Sequence, residues 1–153
     1  MNREGEWGAI GGDLDGQVER RVTKKIAILG HSMVRELPIA AGVPRGWNED
    51  DFVIRRKFFL PGATVPSIQV GQVWDNFVSF RPDLTFLWIG GNDVTRDSAP
   101  VEIARGISEL AQRIVQVTGG EVKVLSIERR PRPRGLCPFR YNRQRNAINR
   151  QLK

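Results

Sequence analysis

Leu84-Thr85-Phe86-Leu87-Trp88-Ile89-Gly90-Gly91-Asn92-Asp93 is an apolar run that stops at two glycines and then presents a carboxamide and a carboxylate. A run this short, closed by a turn, reads as a strand buried on both faces. An earlier run, Ile26-Ala27-Ile28-Leu29, ends in the same manner, in Gly30-His31-Ser32. Working outward, Lys24 to Leu29, Phe52 to Phe59, Leu84 to Ile89 and Glu121 to Ile127 are the four predicted strands.

Helical periodicity fills the intervals. Ser32 to Leu37 predicts a short helix limited by Pro38 or Gly42. Pro66 to Phe80 carries Ile68, Val70, Val73, Trp74, Phe77 and Val78 mostly three or four apart, which predicts one amphipathic helix with Pro66 in its first turn. Ala99 to Val117 predicts a longer one, ended by Gly119-Gly120. Phe139 to Lys153 predicts a last helix that runs to the final residue, behind an arginine-proline loop from Pro131 to Pro138. Strand and helix alternate four times with short connections, so the expectation is α/β: a parallel sheet with helices on both faces. In such sheets ligands sit beyond the carboxyl ends of the strands, at the point where strand order reverses. Gly30-His31-Ser32, Pro61-Gly62-Ala63 and Gly90-Gly91-Asn92-Asp93 all follow predicted strands and converge on that edge.

The chain has 153 residues, one domain's worth, with 40% hydrophobic and 27% charged residues. Residues 1 to 22 are acidic and glycine-rich, read as a disordered leader, and residues 23 to 153 as the domain. No apolar run reaches the roughly 20 residues of a membrane span, and the N-terminus has no signal-peptide core. A single cysteine, Cys137, cannot form an internal disulfide and favours a reducing compartment, so the expected localisation is cytoplasmic.

Net charge is +7, from 24 basic and 17 acidic residues. Beyond Glu128 lie eight arginines and Lys153 with no acid, so all of the excess is in the last 25 residues. Residues 129 to 153 are therefore a candidate contact for nucleic acid or another polyanion, or a solvated helix face.

Acyl transfer requires a nucleophile and preorganised donors for the oxyanion, each donor worth about 3 kcal/mol of barrier. Ser32, at a predicted helix start, suits attack, and its own backbone N–H points at the anion site. Gly62 brings a backbone N–H close because no side chain intervenes. Asn92 donates through its carboxamide. The alternatives are a helix cap for Ser32 and turn residues for Gly62 and Asn92. Trp88, Phe58, Phe59, Phe77 and Phe86 read as core. His31 is the chain's one histidine. Its side chain should diverge from that of its neighbour Ser32, which suits a structural or rim role rather than a base. Asp93 and Asp97 are expected to cap the next helix.

Ile28-Leu29-Gly30-His31-Ser32-Met33 resembles the first block of the SGNH (GDSL-type) esterase and lipase superfamily, usually Gly-Asp-Ser-Leu. Gly62 falls where its second block has the oxyanion glycine, and Gly90-Gly91-Asn92-Asp93 is similar to its third block, Gly-x-Asn-Asp. Tyr141-Asn142 through Asn146-Ala147-Ile148-Asn149 resembles the opening of its late helix. The likeness spans residues 24 to 153. It implies a three-layer, flavodoxin-like fold and a serine ester hydrolase acting on a small ester: Ser32 is the nucleophile, Gly62 and Asn92 complete the oxyanion hole, and neither cofactor nor metal takes part.

Two positions depart from the pattern. His31 stands where the superfamily has aspartate, and its late Asp-x-x-His block, the source of the base, is absent. The resemblance therefore implies a C-terminally incomplete domain lacking the last strand and helix (a truncation, a partial gene or a degenerate copy), weak or inactive in this form. SGNH-like domains also resemble parts of retroelement proteins, which supplies the alternative: a non-catalytic module whose arginine-rich C-terminus binds nucleic acid or another polyanion.

Overall fold

β1 (Thr23–Gly30), β2 (Phe52–Phe59), β3 (Leu84–Trp88) and β4 (Glu121–Val124) form one sheet in the order β2-β1-β3-β4. The computed structural model describes residues 23–37, 44, 46–48, 52–133 and 135–152; the leader read in residues 1 to 22 lies outside them. β3 runs parallel to both β1 and β4, with Ile26 opposite Leu84, Gly30 opposite Trp88, and Leu84 opposite Glu121. The chain leaves β1 toward β2 on one side and returns to β3 on the other, so strand order reverses between β1 and β3.

Two compact units divide the chain, Met1–Lys24 with Ala40–Ile54, and Lys25–Ile39 with Arg55–Lys153. In the first, the Lys24 ammonium sits 5.6 Å from the centre of the Trp47 ring. The second holds the core. Ala27, Leu29 and Leu87 from the central strands, with Ile89 just past β3, cluster with residues of three helices: α1 (Gln72–Phe80), α2 (Pro100–Thr118) and α3 (Pro138–Gln151). α1 supplies Trp74 and Phe77, α2 supplies Ile107, Leu110 and Ile114, and α3 supplies Tyr141 and Ile148. Each such side chain contributes roughly 1.5–3 kcal/mol by leaving water. Of the aromatics expected in the core, Phe58 and Phe77 are buried, whereas Phe59, Phe86 and Trp88 are only partly covered.

The single helix expected over Pro66 to Phe80 is two elements, a 3-10 turn at Ser67–Gln69 and α1. Side chains break it. Ser67 Oγ accepts the Thr64 N–H at 2.8 Å, Gln69 Nε2 donates to the Val65 carbonyl at 2.8 Å, and Gly71 has φ 92°, outside the helical region. The apolar period survives because Ile68, Trp74 and Phe77 still face the core. The helix expected after Ser32 is a five-residue 3-10 segment, Ser32–Glu36. α2 ends at Gly119 with φ 73°, the left-handed stop its glycine pair predicts.

β4 is shorter than expected. Leu125 N–H still donates to the Leu87 carbonyl at 2.8 Å, but the chain then leaves the sheet. Asn149 captures it, accepting from Ile127 N–H at 2.8 Å and donating to the Ile127 carbonyl at 3.1 Å. Among the described residues, no helix is long and apolar enough to cross a membrane.

Candidate active site

β1 and β3 approach so closely at their carboxyl ends that a Cβ on Gly30 would stand 1.9 Å from the Trp88 carbonyl oxygen. Only glycine fits there. The next residue, His31, donates its N–H to the Trp88 carbonyl at 3.3 Å, and Leu60 N–H donates to the Gly30 carbonyl at 3.0 Å. The turn bearing Ser32 is thus pinned to both neighbouring strands.

His31 is fully buried and caps the Ser32–Glu36 segment, its Nδ1 accepting the Met33 N–H at 3.2 Å. An imidazole nitrogen does here what a carboxylate oxygen does at an ordinary cap. Its Nε2 faces Glu128, so neither nitrogen is turned to the Ser32 hydroxyl. Ser32 itself is half-buried, and its hydroxyl has no hydrogen-bond partner among the described residues.

The loop after β3 opens at Gly90, φ 117°, and forms a 3-10 turn at Gly91–Asp93. Asn92 Nδ2 donates to the Ala63 carbonyl at 2.9 Å, and both Asp93 carboxylate oxygens accept the Val65 N–H, at 3.0 and 3.1 Å. Two adjacent side chains therefore clamp the loop that carries Gly62. This corrects the reading of Asp93 and Asp97 as helix caps: α2 starts at Pro100 behind Ala99, with no side-chain cap, and Asp93 is committed 28 residues upstream. Burial raises the Asp93 pKa to about 6, with its backbone hydrogen bonds opposing.

Gly62 and Asn92 line one cleft of about 320 Å³, together with Gly91, Arg130, Arg132 and Tyr141. Gly62 has φ 72° and open space on its Cβ side. Ser32 does not line that cleft; it stands at the end of the adjacent strand.

Glu128 and Arg130 are the members of this site that sequence reasoning passed over. Glu128 Oε2 accepts from Arg130 Nε at 2.6 Å, and Arg130 Nη1 donates to Asn92 Oδ1 at 2.8 Å. On the other side Glu128 Oε1 lies 3.4 Å from His31 Nε2, an ion-pair separation rather than an aligned hydrogen bond. Neither of those two buried atoms has a hydrogen-bond partner among the described residues. Burial alone would raise the Glu128 pKa, but His31 and Arg130 outweigh it and bring it down to about 2. A polar chain thus runs from Asn92 through Arg130 and Glu128 to His31 and the Ser32 turn.

α3 holds that chain in place. Tyr141 donates its hydroxyl to the Glu128 carbonyl at 3.0 Å, and burial beside the Glu128 carboxylate pushes its pKa up to about 12. Arg145 Nη1 donates to the Ile127 carbonyl at 3.1 Å. Gly91 leaves the room: a Cβ there would lie 2.6 Å from Arg130 Nη2. The available sequence signal was position, an acid directly behind a strand on the edge where Ser32 and Asn92 also emerge. Among the described residues, no three His, Cys, Asp or Glu side chains gather as a metal site.

No protein-family model and no curated protein matches the chain. Solved structures do. A lipase/acylhydrolase from Enterococcus faecalis superposes with a TM-score of 0.53 at 16% identity, covering 84% of this chain and 70% of its own. A GDSL-lipase-like protein from Parabacteroides merdae gives 0.60 at 8% identity, over 86% of this chain and 72% of its own. TesA gives 0.57 at 20% identity, over 84% and 70%. Its parallel α/β sheet, with the glycine-terminated turns of β1 and β3 at the reversal of strand order, gives this chain the fold of the GDSL (SGNH) lipases and acylhydrolases.

Proposed function

We propose that the chain is an SGNH-type serine ester hydrolase, resembling acyl or acetyl esterases, with Ser32 as nucleophile. The observation that carries this reading is the pairing of β1 with β3: Gly30 opposes Trp88, so Ser32 and Asn92 leave adjacent parallel strands at one edge. Ser32 Oγ attacks the ester carbonyl carbon, the alcohol departs, and water releases the acid from the acyl-serine. The backbone N–H groups of Ser32 and Gly62 and the Asn92 amide receive the oxyanion. A carboxamide carries two N–H bonds, and Ala63 takes one of them. The other remains for the substrate.

The base is the weak point of this chain. Its one histidine is fully buried, with Nδ1 accepting the Met33 N–H and Nε2 turned to Glu128, so neither nitrogen is placed to take the Ser32 proton. Turnover by these 153 residues should be slight, limited to the roughly 10³-fold that binding and an oxyanion hole give without a working base. A fluorophosphonate probe followed by peptide mapping tests the assignment. A slowly formed adduct on Ser32 is expected, because no base activates the hydroxyl; an adduct on another serine with none on Ser32 removes the enzymatic reading.

A second reading, a polyanion-binding module, draws on the exposed Arg129, Arg132, Arg140, Arg143 and Arg150. Deleting residues 129 to 153 would not test it, because Tyr141 and Ile148 belong to the core. Charge reversal at Arg140, Arg143 and Arg150 keeps the core intact. If the reading holds, binding of single-stranded RNA weakens with salt, with a log–log slope of about −0.7 per phosphate contact, and the reversals flatten it. Binding indifferent to salt excludes it.

A further inference from the structure

We propose that the cleft beside Asn92 takes an ester bearing a second, anionic oxyacid group, a carboxylate or a phosphate, and that Arg132 is the residue that recognises it. The ester half of this assignment rests on the hydrolase reading; the anion half does not.

The charge distribution carries it. Among the described residues, two guanidinium side chains, Arg130 and Arg132, line the cleft, and no aspartate or glutamate does. They are not equivalent. Arg130 is neutralised by Glu128 at 2.6 Å and fixed by Asn92 at 2.8 Å, so it serves as part of the wall. Arg132 is exposed and has neither an ion pair nor a hydrogen bond among the described residues. It therefore leaves one uncompensated positive charge at the cleft, and the sequence has no acid after Glu128 to compensate it locally.

A guanidinium presents a planar fork of donors that matches an oxyacid in two parallel hydrogen bonds. Pro131 and Pro133 flank Arg132 and fix two backbone angles, which lowers the entropy lost when the fork is ordered on a ligand. At about 320 Å³ the cleft is at the small end of ligand pockets, so the acid is short.

The test compares two fluorophosphonates on the full chain, one with a neutral butyl arm and one whose arm ends in a carboxylate. Adduct formation at Ser32 should be about tenfold faster with the carboxylate at low salt, a charge-assisted contact weakened by solvent screening. Arg132→Gln should bring the two rates together, while Arg129→Gln, exposed but not lining the cleft, should keep the difference. Adducts that form at Ser32 at equal rates on the unmodified chain overturn the proposal.

A second measurement is independent of reactivity: glutarate and inorganic phosphate are titrated into the Ser32→Ala protein while amide resonances of Asn92 and Tyr141 are followed. Saturable binding that Arg132→Gln weakens about tenfold upholds the anion site even if no adduct ever forms, and then only the hydrolase reading falls. The tighter of the two anions names the group. Resonances that neither anion moves, or binding that survives Arg132→Gln, overturn it.

Discussion

Glu128→Ala is expected to cost about 3–5 kcal/mol of stability, the range found when one partner of a buried ion pair is removed. Glu128 is 12% exposed and Arg130 21%, so the stranded guanidinium keeps some contact with water and the lower half of that range applies. His31 loses its one neighbour on the Nε2 side as well. Glu128→Gln keeps an acceptor for Arg130 and should cost less than half as much. Urea denaturation of the three proteins at neutral pH measures this ordering. A midpoint for Glu128→Ala within error of the parent would show that the pair contributes nothing.

The pH profile adds a second readout with a definite sign. The Glu128 pKa is about 2 when folded against an ordinary 4.5, so its stabilisation is complete above about pH 4.5 and is lost as pH falls toward 2. That lost contribution is about 3 kcal/mol at 1.36 kcal/mol per unit. Asp93 runs the other way. Its folded pKa is about 6 against 3.8, so the folded state holds the extra proton and stability is lost as pH rises from about 4 to 6. Glu128→Gln should flatten the acid limb and Asp93→Asn the limb above it. A Glu128→Gln protein that still loses the full 3 kcal/mol below pH 4.5 would assign the acid limb to other carboxylates.

Which parts of this arrangement were legible in the sequence follows from the range of the forces involved. The strands were, because a short apolar run closed by glycine leaves few alternatives, and the order of Gly30-His31-Ser32 and Gly90-Gly91-Asn92-Asp93 already put both turns on one edge. The break between Ser67–Gln69 and α1 was not, since the apolar period passes through Val70 and Gly71 uninterrupted while the Thr64–Ser67 hydrogen bonds decide the backbone. Asp93 looked like a cap because local rules favour one; its actual partner, Val65, is 28 residues away. Glu128 and Arg130 were hidden for the same reason. Counted along the chain, they mark the boundary of a basic tail; folded, they are 2.6 Å apart and partly buried between the Ser32 and Asn92 turns.

Asn92→Asp is expected to lower the rate of fluorophosphonate labelling at Ser32 by roughly 10²–10³-fold, the loss typical of removing one oxyanion donor. The substitution is chosen because it separates the chemistry from the scaffold. A carboxylate in place of the carboxamide keeps an oxygen for Arg130 Nη1, now as an ion pair, and so preserves the link to Glu128. It loses both N–H bonds: the one held by the Ala63 carbonyl and the one assigned to the substrate. The first loss sets a carboxylate oxygen against the Ala63 carbonyl and costs about 1–3 kcal/mol, part of which the ion pair with Arg130 offsets. Stability should therefore fall modestly while labelling collapses, because an anion now faces the position where negative charge must develop. Asn92→Ala gives the complementary result: it frees Arg130 from its anchor and lowers stability and labelling together. If Asn92→Asp labels as fast as the parent, Asn92 is only the clamp on the Gly62 loop, and the oxyanion has to be stabilised by backbone N–H groups alone.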